Sequence, residues 1–177
     1  MTGAVFLTSE RIELKTIEEE DIPFMVENIN DQDVWSSLTI YLPANKIQEK
    51  EFLKNISKND KEVHLMICDG DEKIGMVSIF DIDHRVRKGE VGLWISPEHW
   101  NKGYGTEASR LIVKYGFKTL NLHRIFAAAL KNNQGSLKIW EKLGFEKEGV
   151  SRDATFVDGE YVDLVNYSIL EDEWEER

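Results

Sequence analysis

Seven consecutive residues stand out for the chemistry they could do: Trp100-Asn101-Lys102-Gly103-Tyr104-Gly105-Thr106. They follow an apolar, strand-like run and open a helix-like one. Glycines at such a junction let main-chain N–H groups approach a ligand closely, and the helix start adds the positive end of its dipole. The chemistry this favours is binding of an anion, most naturally a phosphate or pyrophosphate, with Lys102 as a further charge. No Gly-Lys-Ser/Thr closes the loop, so it is not a P-loop; the third glycine of a dinucleotide fingerprint is missing, and position 106 is Thr. Taken alone, Gly-x-Gly is weak evidence, and the pattern is more often a helix start with no ligand.

The elements that must position this loop can be read from periodicity and turn residues. Arg11–Thr16 alternates as a strand, and Thr16 with Glu19 has capping-box spacing ahead of a helix to about Asn30. A loop with Asp31, Asp33 and Trp35 leads to a second helix over 45–57. Residues 63–68 and 73–81 form a hairpin around Asp69-Gly70-Asp71, and Glu90–Ser96 is a fourth strand stopped by Pro97. A long helix runs from about Gly103 to Leu120, with Ala108, Leu111, Ile112 and Tyr115 as its apolar stripe. A fifth strand (125–130), a short helix (135–143) ended by Gly144, and two strands around Asp158-Gly159 complete the order β-α-α-β-β-β-α-β-α-β-β. This is a mixed α/β domain, single over residues 1–177, whose βαβα middle can place a ligand at strand C-terminal ends.

Composition narrows the partners. Thirty-three acidic against twenty-two basic residues give a net charge of −11, which argues against nucleic acid as a partner and permits a cationic one. A hydrophobic content of 41%, with five Trp and eight Phe, can fill a core. The lone Cys68 excludes an internal disulfide and a multi-thiolate zinc site, and no metal is expected; its apolar surroundings predict a buried, inert thiol. No run reaches the ~18 apolar residues of a membrane span, and Met1–Leu7 does not read as a signal peptide, so no membrane partner and a cytoplasmic location are expected.

A second segment, Asn133-Gln134-Gly135-Ser136-Leu137-Lys138-Ile139-Trp140-Glu141-Lys142-Leu143-Gly144-Phe145, lies one helix and one strand after the glycine loop. Together the two resemble the GCN5-related N-acetyltransferase (GNAT) superfamily: the first its Gln/Arg-x-x-Gly-x-Gly/Ala loop, the second its Asn-x-x-Ser/Ala…Tyr-Glu-Lys-Leu-Gly-Phe helix. The likeness extends to Glu10–Leu14, Glu19–Ile22, Ser96–Trp100 and Asp158–Asp163, which resemble the ribosomal-protein alanine acetyltransferase branch, close to the spermidine acetyltransferases.

The resemblance implies a GNAT fold: a central mixed, mostly antiparallel sheet with splayed parallel strands 4 and 5, flanked by helices. It implies acetyl-CoA as donor, a primary amine as acceptor and, by analogy, a homodimer. Amides of residues 101–106 would hold the pyrophosphate, Trp94, Ile95 and Ser96 would pair with the pantetheine arm, Asn133 would bond it, and Ser136 and Lys138 would lie close by. A main-chain N–H near Trp94 or Ile95 would face the thioester carbonyl. Glu90 is the candidate base, with His84 and Asp83 next, while His99 and His123 read as surface or capping positions.

Two positions depart from the family pattern. Trp100 replaces Gln/Arg, and Trp140 stands where a Tyr is usual as acid; an indole N–H can donate a hydrogen bond but not a proton. Trp140 therefore leaves three readings: packing against pantetheine, core packing, or a catalytically idle acyl-CoA-binding module. A nucleotide-binding protein is the reading from another class. For the acceptor, Asp31 and Asp33 could attract a cation, but Ser36–Pro43 carries no acid. That suits a protein N-terminus or another primary amine beside an apolar group better than a polyamine.

Overall fold

The computed structural model describes residues 3–175. Its strands are β1 (Val5–Thr8), β2 (Glu13–Lys15), β3 (Val63–Asp69), β4 (Glu72–Asp83), β5 (Lys88–Ile95), β6 (Arg124–Leu130), β7 (Glu146–Val157) and β8 (Glu160–Leu170). The helices are α1 (Ile22–Ile29), α2 (Gln32–Trp35), α3 (Lys46–Ile56), α4 (Tyr104–Lys118) and α5 (Gln134–Lys142). One sheet holds these strands in the order β1-β2-β3-β4-β5-β6-β8-β7, and each neighbouring pair is antiparallel except β5–β6. The parallel pair is the one expected as strands 4 and 5, renumbered because β1 precedes the first strand read from the sequence.

One face of the sheet carries Leu65, Ile67, Val77, Ile79, Val91, Ile125 and Ala127, and α4 packs on it through Ala108, Ile112 and Val113. Each fully buried aliphatic side chain of this kind stabilises the fold by about 1.5–3 kcal/mol. The buried stripe of α4 lies one residue past the expected one, on Ile112, Val113 and Gly116, leaving Leu111 and Tyr115 at its margin. Gly116 explains the rotation: a Cβ there would stand 2.7 Å from Ile125 Cδ1 and 2.9 Å from Ile79 Cδ1, so its absence lets the helix seat directly on the sheet. The opposite face is closed by α1–α3, around Met25, Ile29, Val34, Met66, Cys68 and Trp94. Cys68 is buried there, and burial pushes its thiol pKa up.

Local chemistry sets the helix starts. Asn45 caps α3, accepting from the Ile47 and Gln48 amides at 2.9 and 3.1 Å, while Gln48 reaches back to the Asn45 amide. The first capping box forms two residues later than expected, between Glu18 and Asp21, because the Thr16 hydroxyl is occupied by the Ala4 amide and Glu18. Asp31 caps α2, a single turn of helix within the stretch expected as a loop.

Candidate active site

β5 and β6 pair only at Lys88–Arg124, Gly89–Ile125 and Glu90–Phe126. Beyond Glu90 they part, β5 running on to Ile95 and β6 to Leu130. The opening is the spine of a cleft of about 990 Å³ that reaches from the start of α4 to the α1–α3 face of the sheet. Strand alternation decides which β5 groups face it. The Ser96 amide bonds Ile74 O on β4 at 2.9 Å, so the amides of alternate residues up the strand, Trp94 and Gly92, also face β4. On the other edge the Val91 amide closes the last rung on Phe126, and beyond it the main-chain groups of Leu93 and Ile95 face the opening.

At one end lies the glycine loop. Asn101 (φ 60°) and Gly103 (φ 86°) are left-handed and turn the chain sharply into α4. No side chain caps this helix, so the amides of its first turn stay available at the cleft, the requirement for an anion cradle. Trp100 anchors the entry by donating Nε1–H to Ile95 O at 2.8 Å. Arg11 braces the turn from outside: Nη2 donates to Lys102 O at 3.0 Å, Nε stands 3.3 Å from Glu107, and the guanidinium lies 4.3 Å from the Tyr104 ring centroid. Tyr104 in turn donates its hydroxyl to Asp69 at 2.7 Å. Lys102 does not line the cleft; the cations that do are Lys138 and Lys142 on α5.

α5 forms a second wall. Asn133 Oδ1 caps it, accepting from the Ser136 amide at 3.0 Å, and Asn133 Nδ2 donates to Ser37 O at 3.0 Å, tying this helix to the loop after α2. Ser136, Lys138 and Trp140 line the cleft. Trp140 is only 1% exposed, packs 5.3 Å from the Phe145 ring and has no hydrogen-bond partner for its indole N–H.

The far end belongs to the other face of the sheet. Cross-strand pairing puts Glu90 opposite Phe80, and Gly92 opposite Ser78. Glu90 lines the cleft and is its sole carboxylate among the described residues. Burial, and then the nearby charge of Asp81, push its pKa upward. Beside it His64 and Ser78 also line the cleft.

The remaining candidates lie elsewhere. Asp31 and Asp33 are exposed and outside the cleft, with Asp31 committed to capping α2. His84 is exposed, 3.1 Å from Asp60 O, and also outside it. Asp83 accepts the Arg85 and Val86 amides, which hold its pKa down and make it a poor base. His123 stands on the surface beside Glu171, as expected. His99 does not: it is buried on the cleft wall, edge-on to Tyr104, because the turn at Pro97–His99 folds it under the loop. Trp94 and Ser96 turn their amides to β4, so the β5 amides at the opening are those of Leu93 and of Ile95, the latter within the expected segment 94–96.

An anion cradle at a helix start, a slot between parting parallel strands and a carboxylate at its end define an acyl-transfer site of the GNAT type. The family model for the acetyltransferase (GNAT) domain matches residues 11–146, and the chain belongs to that family. It is an N-acetyltransferase whose donor is acetyl-CoA. It is 30% identical over 173 residues to the uncharacterized N-acetyltransferase p20 of Bacillus licheniformis, spanning 95% of this chain and 97% of that one. It is also 30% identical to the spermidine N(1)-acetyltransferase of Escherichia coli K12, spanning 94% and 90%. Bacillus subtilis YdaF, provisionally named a ribosomal N-acetyltransferase, is 42% identical over 101 residues, 57% of this chain and 55% of that protein. A solved structure of Vibrio cholerae spermidine N-acetyltransferase, in complex with CoA and spermine, shares the fold with a TM-score of 0.88 at 24% identity, covering 93% and 98% of the two chains.

Proposed function

We propose that this chain acetylates a single primary amine carried beside an apolar group, a protein N-terminus or a small-molecule amine, by direct attack on the acetyl-CoA thioester. The observation that carries this is the lining of the cleft's far end: one carboxylate, Glu90, among apolar and uncharged groups that include Leu38, Thr39 and Ile40. One carboxylate matches one ammonium.

Acetyl-CoA supplies an activated acyl group with a thiolate leaving group. The first-turn amides of α4 would receive its pyrophosphate, with Lys138 and Lys142 close by. The outward amides of Leu93 and Ile95 would pair with its amide-bearing arm, one of them donating to the carbonyl oxygen as charge builds there. The uncapped helix start and the unpaired edge of β5 both fit that ligand. Glu90 would hold the ammonium and take its proton, and its upward-shifted pKa brings it nearer the pH of reaction. Trp140 would pack the arm, leaving the thiolate, of pKa ~8.5 in a free thiol, to be protonated by another group or by water. Membership of the ribosomal-protein branch, a cytoplasmic location and a homodimer belong to the same proposal and rest on the family resemblance.

A polyamine acceptor is the second reading, favoured by the spermidine acetyltransferase relative that spans 94% of the chain. Following thiol release from acetyl-CoA across a panel of Ala-leading tetrapeptides, 2-phenylethylamine, amino sugars and spermidine decides between them. Release with the monoamines above that with spermidine supports the proposal, and the reverse order overturns it.

A further inference from the structure

One network on the acceptor side has no place in the scheme above. Glu62, just before β3, His64 on β3 and Ser78 on β4 form a continuous chain ending in the cleft. Glu62 Oε2 lies 2.8 Å from His64 Nε2, and His64 Nδ1 lies 2.7 Å from Ser78 Oγ. Asn59 Nδ2 holds the other Glu62 oxygen at 2.8 Å, so the carboxylate is fixed. Phe52 of α3 meets the imidazole edge-on at 5.0 Å, and the His64 side chain is only 8% exposed. Ser78 is buried and faces Gly92, which has no side chain to cover it. Glu90 lies diagonally across the strand pair on the same face, at a spacing of about 7–8 Å for such positions.

We infer that Glu62, His64 and Ser78 form a proton relay that takes a proton from the acceptor amine during acetyl transfer, alongside Glu90. This deepens the amine-acetylation reading and rests on it. Turning an ammonium into an amide removes two protons from nitrogen, one before attack and one as the amide forms. One ends on the CoA thiolate and the other in solvent. The cleft offers two acceptors for them on either side of the gap left by Gly92.

An amine N–H bond breaks as its proton passes to Ser78 Oγ, while the Ser78 O–H proton passes to His64 Nδ1. Ser78 ends unchanged, and His64 becomes an imidazolium whose Nε2–H still donates to the Glu62 carboxylate. That proton then returns through Ser78 to the departing thiolate or to water. The resting tautomer required has Nε2–H on Glu62 and a free Nδ1 lone pair toward Ser78. A neutral ring meets this, and burial, which lowers the His64 pKa, keeps the ring neutral to lower pH. Glu62 opposes that shift by hydrogen bond and charge. Of the other acidic groups on elements packed over this face, Glu90 on β5 lines the cleft and Glu49, one turn before Phe52 on α3, is buried, while Glu27 of α1, Asp33 of α2, Glu51 of α3 and Asp81 of β4 are exposed.

The test uses the whole enzyme with acetyl-CoA and whichever of 2-phenylethylamine, an Ala-leading tetrapeptide or spermidine turns over fastest. Ser78→Ala should lower kcat by at least about tenfold while CoA affinity stays at the wild-type value, and Ser78→Thr, which keeps the hydroxyl, should recover most of the loss. Glu62→Gln removes the group that raises the His64 pKa, so the acidic limb of the kcat–pH profile should move to lower pH; a purely structural network would lower activity without moving it. Ser78→Ala within twofold of wild type, or a Glu62→Gln limb that stays put, overturns the relay while leaving the acetyltransferase intact. A wild-type protein that acetylates none of the three amines overturns the proposed function and the relay with it.

Discussion

Arg11→Ala tests whether the anion cradle is held in shape from outside. The side chain makes three contacts with the loop, to Lys102 O at 3.0 Å, to Glu107 at 3.3 Å and to the Tyr104 ring at 4.3 Å. It is 43% exposed, so the Glu107 pair contributes about 0–1 kcal/mol after solvent screening. The stacking adds about 0.5–1 kcal/mol and the carbonyl hydrogen bond about 0.5–1.5 kcal/mol. The three share one side chain and do not add fully, which leaves about 1–2 kcal/mol. That is a factor of about 5–30 in the ratio of ordered to disordered loop. Because CoA would bind the ordered loop, its dissociation constant rises by up to that factor in a calorimetric titration, and Tm falls by about 2–8 °C. Arg11→Lys keeps the charge but not the planar fork, and falls between the two. Lys102→Ala binds CoA nearly as wild type, since its side chain does not line the cleft. An Arg11→Ala protein with wild-type CoA affinity would refute the reasoning.

Other perturbations address the chemistry and the frame. Glu90→Gln removes the proposed base and should lower kcat by about 100-fold or more and move the remaining activity to higher pH, where more of the amine is neutral; an unchanged pH–rate profile removes Glu90 from the mechanism. Trp140→Tyr places a hydroxyl on the same helix face and should raise turnover by supplying a proton to the thiolate; unchanged turnover shows that this proton does not limit the rate. Arg124 donates two hydrogen bonds to Glu148, at 2.7 and 2.6 Å, tying β6 to β7, and this with Ser168 lowers the Glu148 pKa. A depressed carboxylate pKa contributes stability above its unfolded value that disappears as pH falls through its folded one. Arg124→Ala should therefore lower Tm at pH 7, and the gap from wild type should close on acidification; a gap independent of pH contradicts the ion pair's role.

Much of the fold was legible because it rests on local signals. Asp69-Gly70 and Asp158-Gly159 mark turns with positive φ, Asn45 caps its helix, and Gly144 ends another in the left-handed conformation. The cradle was legible for the same reason. What was missed depends on register and distance. Ser78 is fourteen residues from His64, and only the antiparallel pairing of β3 with β4 sets them opposite one another. The alternation His64, Met66 and Ser78, Phe80, Glu90 along one face was the available signal, since residues two apart share a side of a strand. Arg11 reaches a loop 91 residues away, which no periodicity reports. Helix capping and cation binding draw on the same residue types, so the sequence alone does not separate the two at Asp31, which caps α2. Which residues of the segment 94–96 turn their amides to the opening is a matter of one-residue register, set by the bonds of β5 to β4, and periodicity alone does not report it.

The central claim is that the cleft opened by β5 and β6 carries acetyl transfer from acetyl-CoA to one amine held at Glu90. Following free thiol from acetyl-CoA with and without a monoamine, in wild-type and Glu90→Gln proteins, tests it most directly. The account predicts amine-dependent release stoichiometric with N-acetyl product, collapsing in Glu90→Gln while CoA affinity holds. Tight CoA binding with no amine-dependent release from the wild-type protein would contradict it.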